Sequence, residues 1–137
     1  MASILTLVFI AFSSLMLISA TPIPTYDAVL EKKAATHHGK GTWFHPGMGN
    51  CGNYNTDNDP IVAIGLDLYK QNGGNNCGQW VSITSNDKHA YGIIWDSCPG
   101  CNNNDLDMSP TLFQKFGPLD KGVLDIKWEF QPRGWSP

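Results

Sequence analysis

The sequence predicts a small all-β domain stapled by disulfides, and three observations predict it. From Gly41 onward, short apolar or aromatic runs alternate with clusters of Gly, Asn, Asp and Pro, the pattern of short strands joined by polar loops. One of these runs, Val123–Phe130, places Leu124, Ile126, Trp128 and Phe130 on one face and Asp125, Lys127 and Glu129 on the other, the period of a half-buried strand. The third observation is four cysteines, all downstream of an apolar amino-terminal segment.

That segment covers residues 1–20. It holds no charged side chain, carries the runs Ile4–Phe12 and Leu15–Ile18, and ends in small Ser19 and Ala20. It reads as a secretory signal peptide and is too interrupted to span a membrane. Residues 21–40, with Pro22, Pro24, Lys32, Lys33, His37 and His38 and no apolar period, read as a flexible leader in which Lys32-Lys33 is a candidate processing site. The folded domain is expected over 41–137.

Within it, strands are expected at Thr42–Phe44, Ile61–Ile64, Trp80–Thr84, Tyr91–Trp95 and Val123–Phe130. Asn86-Asp87 joins the third and fourth as a hairpin turn. One helix is expected, with Ser109 as its cap, Pro110 at its first position and Leu112, Phe113 and Phe116 on its apolar face, ending at Gly117-Pro118. Trp80, Trp95 and Trp128 lie on strands and are expected in the core.

Nine Lys and Arg against twelve Asp and Glu give a formal charge of −3 with no block of either sign. This argues against a nucleic-acid partner held through phosphates. The cysteines Cys51, Cys77, Cys98 and Cys101 are even in number and read as two disulfides, with three pairings open. A four-cysteine zinc site needs two closely spaced pairs, and only Cys98-Pro99-Gly100-Cys101 has that spacing. His37-His38 lacks a third ligand nearby. No metal or other cofactor is expected.

Four segments then follow in one order: Gly41-Thr42-Trp43-Phe44, Asn50-Cys51-Gly52, Gly73 to Gly78 around Cys77, and Asp96-Ser97-Cys98-Pro99-Gly100-Cys101 leading to Leu106-Asp107-Met108-Ser109. In this series the chain resembles the expansin-like, rare-lipoprotein-A-like and barwin-related group, in its small single-domain secreted microbial form. The resemblance covers roughly residues 41–130. It implies a six-stranded double-psi β-barrel with one or two short helices. It also implies the pairing Cys51–Cys77, leaving Cys98–Cys101 to close its own small loop.

The resemblance further implies a groove in which Asp107 is the central acid, with Asp96 and Thr42 beside it as the other catalytic-like and substrate-binding groups. If the two carboxylates share a partly dry groove, desolvation and mutual repulsion would keep one of them protonated and able to donate to a glycosidic oxygen. The bland reading of Asp96 is a loop anchor that accepts backbone hydrogen bonds. Phe44 and Tyr54 are the candidate stacking rings for a sugar's apolar face.

The function implied is binding or loosening of cell-wall polysaccharide outside the cell, without hydrolysis, by a monomer that needs neither nucleic acid nor membrane. Two alternatives come with the same fold: inhibition of a papain-type cysteine protease through surface loops, and glycan cleavage of the lytic-transglycosylase or glycosidase kind.

Overall fold

A computed structural model describes residues 35–137. The expected signal peptide and the Lys32-Lys33 site lie outside the described residues. Six strands alternate with short helical turns: β1 His37–Trp43, β2 Ile61–Gly65, α1 Leu66–Gln71, β3 Trp80–Ser85, β4 Lys88–Cys98, β5 Leu106–Met108, α2 Pro110–Phe113, a 3-10 turn Leu119–Lys121 and β6 Leu124–Phe130. They close into a barrel in the order β1-β5-β2-β4-β3-β6. The pairs β1·β5 and β2·β4 are parallel and the other four antiparallel. Among the described residues, closure leaves no open sheet edge.

The strongest alternation in the sequence behaves as expected. Leu124, Ile126 and Trp128 of β6 are buried while Asp125 and Lys127 are exposed. They meet Val62, Ile64, Val81, Ile83, Ile94, Leu106 and Met108 from the other strands, and Leu112, Phe113 and Phe116 close one end. Each fully buried aliphatic or aromatic side chain contributes about 1.5–3 kcal/mol. The Trp128 indole keeps a polar partner by donating to the Asn104 carbonyl at 2.7 Å. Gly92 marks a close crossing in the core, since a Cβ there would sit 2.4 Å from the Val62 side chain.

The β3–β4 hairpin turns on Asn86 and Asp87, whose φ values of 49° and 63° are the left-handed pair that a two-residue hairpin requires.

Several expectations need correction. Strand β1 begins at His37, inside the stretch read as leader, because Gly39 and Gly41 let it pack closely: a Cβ on Gly39 would meet the Asn104 carbonyl at 2.1 Å. His37 itself stacks on Trp128 with centroids 4.0 Å apart. Helix α1 and strand β5 were not expected as elements. Ser109 sits at the N-terminus of α2, but its buried hydroxyl does not cap the helix. It donates to the Asp59 carbonyl at 2.6 Å and accepts from the Ile61 N–H at 3.2 Å, pinning the entry to β2. Of the three strand tryptophans only Trp128 is in the core. Trp80 and Trp95 are half-buried, because their neighbours Val81 and Ile94 take the inward positions.

Candidate functional site

The site is set by register. Thr42 of β1 pairs with Asp107 of β5, Asp107 pairs with Ala63 of β2, and Ala63 pairs on its other side with Asp96 of β4. Four adjacent strands thus contribute one transverse row, Thr42–Asp107–Ala63–Asp96. Leu106 and Met108 are fully buried on either side of Asp107, so the Asp107 carboxylate faces away from them, while Ala63 between the two acids is itself buried.

Asp96 reaches this row through a β-bulge. Val62 pairs with Ile94, but Ala63 pairs with Asp96, so Trp95 is the extra residue on β4. Without it, Trp95 would stand opposite Ala63 and Asp96 would turn inward with the opposite parity. Bulges commonly re-aim a side chain in this way.

The Thr42 hydroxyl donates to Asp107 Oδ1 at 2.8 Å. Burial pushes the Asp107 carboxyl up from its ordinary range. Hydrogen bonds from Thr42 and the Met108 backbone act in the opposite direction, and the nearby charge of Asp96 adds a smaller upward push. Expressed chemically, Asp107 holds its proton more tightly than a free aspartate, and Thr42 fixes Oδ1 as an acceptor.

Asp96 is held differently. Its Oδ1 accepts the backbone N–H groups of Asn50 and Ser97, both at 2.8 Å. Asn50 Nδ2 also donates to Ser97 Oγ at 3.0 Å, and the Cys51 N–H donates to the Trp95 carbonyl at 3.2 Å. Gly49 allows this docking, since a Cβ there would fall 2.2 Å from the Trp95 carbonyl oxygen. Asp96 is therefore both a member of the row and the anchor of the loop after β1.

Two disulfides frame the site. Cys51 is bonded to Cys77 and Cys98 to Cys101. The sulfurs of Cys98 and Cys101 and a carboxylate oxygen of Asp107 all lie within 4.8 Å of one another. Because the two sulfurs are bonded together, this cluster is not a set of free metal ligands. It is a wall of low polarity against the acid, consistent with burial as the main upward influence on Asp107.

Of the candidates named from sequence, the structure brings Thr42, Asp96 and Asp107 together. Phe44 is half-buried two residues beyond Thr42, and its N–H extends the β1·β5 ladder by donating to the Met108 carbonyl at 2.9 Å. Tyr54 stands apart, 73% exposed, on a loop bridge opposite Met48, which is 68% exposed. The sequence reading missed Ala63 and Asn50. Ala63 is the one small side chain between the β-branched residues of Ile61-Val62-Ala63-Ile64, a signal of close approach. Nothing in the sequence marks the bulge at Trp95.

No protein-family model matches the chain. The papain inhibitor of Streptomyces mobaraensis is 32% identical over 99 residues, covering 67% of this chain and 69% of that protein. The solved Streptomyces papain inhibitor superposes with a TM-score of 0.65 at 30% identity, over 72% of this chain and 96% of that one. Expansin-like protein 3 of Dictyostelium discoideum is 35% identical over 125 residues, 80% of this chain and 34% of the relative. The chain belongs to the expansin- and barwin-like double-psi β-barrel family. The apo Clavibacter michiganensis expansin agrees, with a TM-score of 0.66 at 25% identity over 75% of this chain and 54% of that structure. The double-psi barrel of this chain thus spans about a third of the Dictyostelium relative and about half of the Clavibacter protein.

Proposed function

We propose that this protein is a secreted, expansin-like protein that binds or loosens cell-wall polysaccharide without hydrolysing it. The observation that carries the reading is the Thr42–Asp107 hydrogen bond within the row Thr42–Asp107–Ala63–Asp96. It orients an acid that burial makes hold its proton more tightly than a free aspartate, placed, when protonated, to donate to a hydroxyl or glycosidic oxygen of a glycan lying along the row. Such a donor competes with the hydrogen bonds between glycan chains. Phe44, beside Thr42, offers a ring to the apolar face of a sugar.

Support for loosening over cleavage comes from Asp96. Hydrolysis needs a second carboxylate free to act as base or nucleophile across the scissile bond. One oxygen of Asp96 is committed to two backbone N–H groups, which suits an anchor. Secretion is supported by two disulfides and the absence of free cysteines among the described residues, a usage that belongs to oxidising compartments.

The test is a pull-down of the purified protein on cellulose, chitin and peptidoglycan, wild type beside Asp107→Asn, with soluble sugars assayed in the supernatant. The reading requires binding that the substitution weakens and no released sugar. Sugar release would make the protein a glycan-cleaving enzyme.

A second reading, inhibition of a papain-type protease, is favoured by the loop that carries Met48 and Tyr54. It is exposed, apolar at its tip and pinned by Cys51–Cys77, and the related papain inhibitor is matched over nearly its whole length. Inhibition of papain that survives Asp107→Asn and is lost with Tyr54→Ala would select this reading.

A further inference from the structure

Three tryptophans and a tyrosine are left over once the core and the acid row are accounted for. Trp80, Tyr91, Trp95 and Trp135 are all half-buried. Trp95 is explained by the bulge and by its contact with Gly78, where a Cβ would lie 3.2 Å from the indole. The other three gather on the outer surface of the β3–β4 hairpin. Val81 and Ile83 of β3 and Gly92 and Ile94 of β4 face inward, so Trp80 and Tyr91 face outward. The register sets Ser82 opposite Tyr91 and Ile93 opposite Trp80. The two rings are therefore diagonal neighbours, within reach of a common ligand.

Trp135 joins them from the carboxy-terminal segment. Its ring lies against Tyr91 with centroids 4.8 Å apart and planes at 52°, and His89 meets Tyr91 edge-on at 4.6 Å. The segment that carries Trp135 is held in place. The Gln131 N–H donates to the Trp80 carbonyl at 2.8 Å, Gln79 Nε2 donates to the Gln131 carbonyl at 2.8 Å, and Arg133 donates to the Asn75 carbonyl. Beside the rings a cavity of about 650 Å3 opens, walled by Trp80, Tyr91 and Leu112 with Asn58, His89 and Lys115 at its polar margin. That volume lies in the range of small-molecule sites, and fixed aromatic walls with a few polar groups are their usual make-up.

We infer that this cavity is a second glycan-binding surface, in which Trp80 and Tyr91 stack against the apolar face of a neutral pyranose ring while Asn58, His89 and Lys115 meet its hydroxyls. The inference rests on the glycan reading above for its class of ligand. Continuity along β4 argues for that class: Tyr91 and Asp96 are five residues apart on one strand, roughly 17 Å. One extended chain of several sugars spans that distance and touches both surfaces. Pre-set rings also lose little conformational freedom on binding.

The test is amide and indole NMR mapping of the whole protein with cellohexaose, chitohexaose and xylohexaose as probes, followed by titration of Tyr91→Ala, Tyr91→Phe and Asp107→Asn. The inference predicts that one hexasaccharide shifts the Trp80 and Trp135 indoles and the Tyr91 amide. Tyr91→Ala then weakens binding about three- to tenfold, the scale of one lost stacking partner. Tyr91→Phe, which keeps the ring, binds like wild type. Shifts confined to Thr42, Ala63, Asp96 and Asp107 overturn the second surface and leave the proposed function standing. Shifts at Trp80 and Tyr91 alone, unaffected by Asp107→Asn, support the second surface and remove the acid row from glycan binding. No shift with any of the three probes overturns the inference.

Discussion

Asp107 and Asp96 stand two strands apart in the same transverse row, separated only by Ala63, which pairs with both. The two carboxylates are unequal. Asp107 is walled by a disulfide and bonded by Thr42, whereas Asp96 is spent partly on two backbone N–H groups. On the proposed reading, that asymmetry casts Asp107 as the proton donor and Asp96 as the scaffold.

The first consequence concerns stability. The Asp107 carboxyl is raised above its ordinary value of 3.8, chiefly by burial, so between that value and its folded-state value the native protein holds more protons than the unfolded chain. Its ionisation therefore costs stability as pH rises through this window, and the cost persists above it. Asp107→Asn keeps the shape without the charge. It should raise the melting temperature relative to wild type at pH 7, and the advantage should vanish below about pH 3.8. A melting temperature at pH 7 lower than wild type would contradict the burial argument.

Thr42→Val removes a hydroxyl at nearly constant volume. Because that hydroxyl's bond lowers the Asp107 value, the variant should titrate Asp107 higher still. Loss of a single hydrogen bond, about 1 kcal/mol net, predicts glycan binding weaker by roughly fivefold through loss of oxygen orientation. An unchanged Asp107 titration, followed by carboxyl 13C shifts, would remove Thr42 from the site.

Gly49→Ala tests the anchor. The added methyl would stand 2.2 Å from the Trp95 carbonyl oxygen, a backbone atom that cannot swing aside as a flexible side chain would. The loop should lift, and the Asn50 amide should lose its hydrogen-exchange protection as its bond to Asp96 breaks. Protection equal to wild type would mean that the loop is not held by this contact.

Removing Cys51–Cys77, which joins residues 26 apart, should cost about 3.5 kcal/mol on the loop-entropy account. Denaturant unfolding of the Cys51→Ser, Cys77→Ser double variant measures it. The Cys98–Cys101 pair closes a separation of only 3, so its loss should act less on stability and more on the surroundings of Asp107, lowering its titration as water enters.

The parts of this fold that were legible in the sequence are those governed by local rules. The alternation of β6 and the left-handed turn at Asn86-Asp87 each follow from neighbouring residues. Strand β5 was not legible, because three residues carry too little pattern and their place is fixed by partners on β1 and β2. Helix α1 was missed although Asp67 in its first turn, Lys70 in its last and Asn72-Gly73 after it are the usual marks of a short helix. The amino-terminal half of β1 was hidden because its segment, Gly39 included, reads as leader, whereas Gly39 and Gly41 serve as close-packing positions. At the site, the acids and Thr42 came through resemblance to a family motif. The bulge at Trp95 that brings Asp96 into line is a property of register between distant strands, and no single segment encodes it.

The most direct test of the account is the 13C NMR titration of the Asp107 carboxyl with and without a bound hexasaccharide. The account predicts a midpoint above 3.8 in the free protein and a further rise on binding, since a glycan that accepts the proton's hydrogen bond favours the protonated form. A midpoint at or below the ordinary value, or one that falls when the glycan binds, would contradict the assignment of Asp107 as the proton donor.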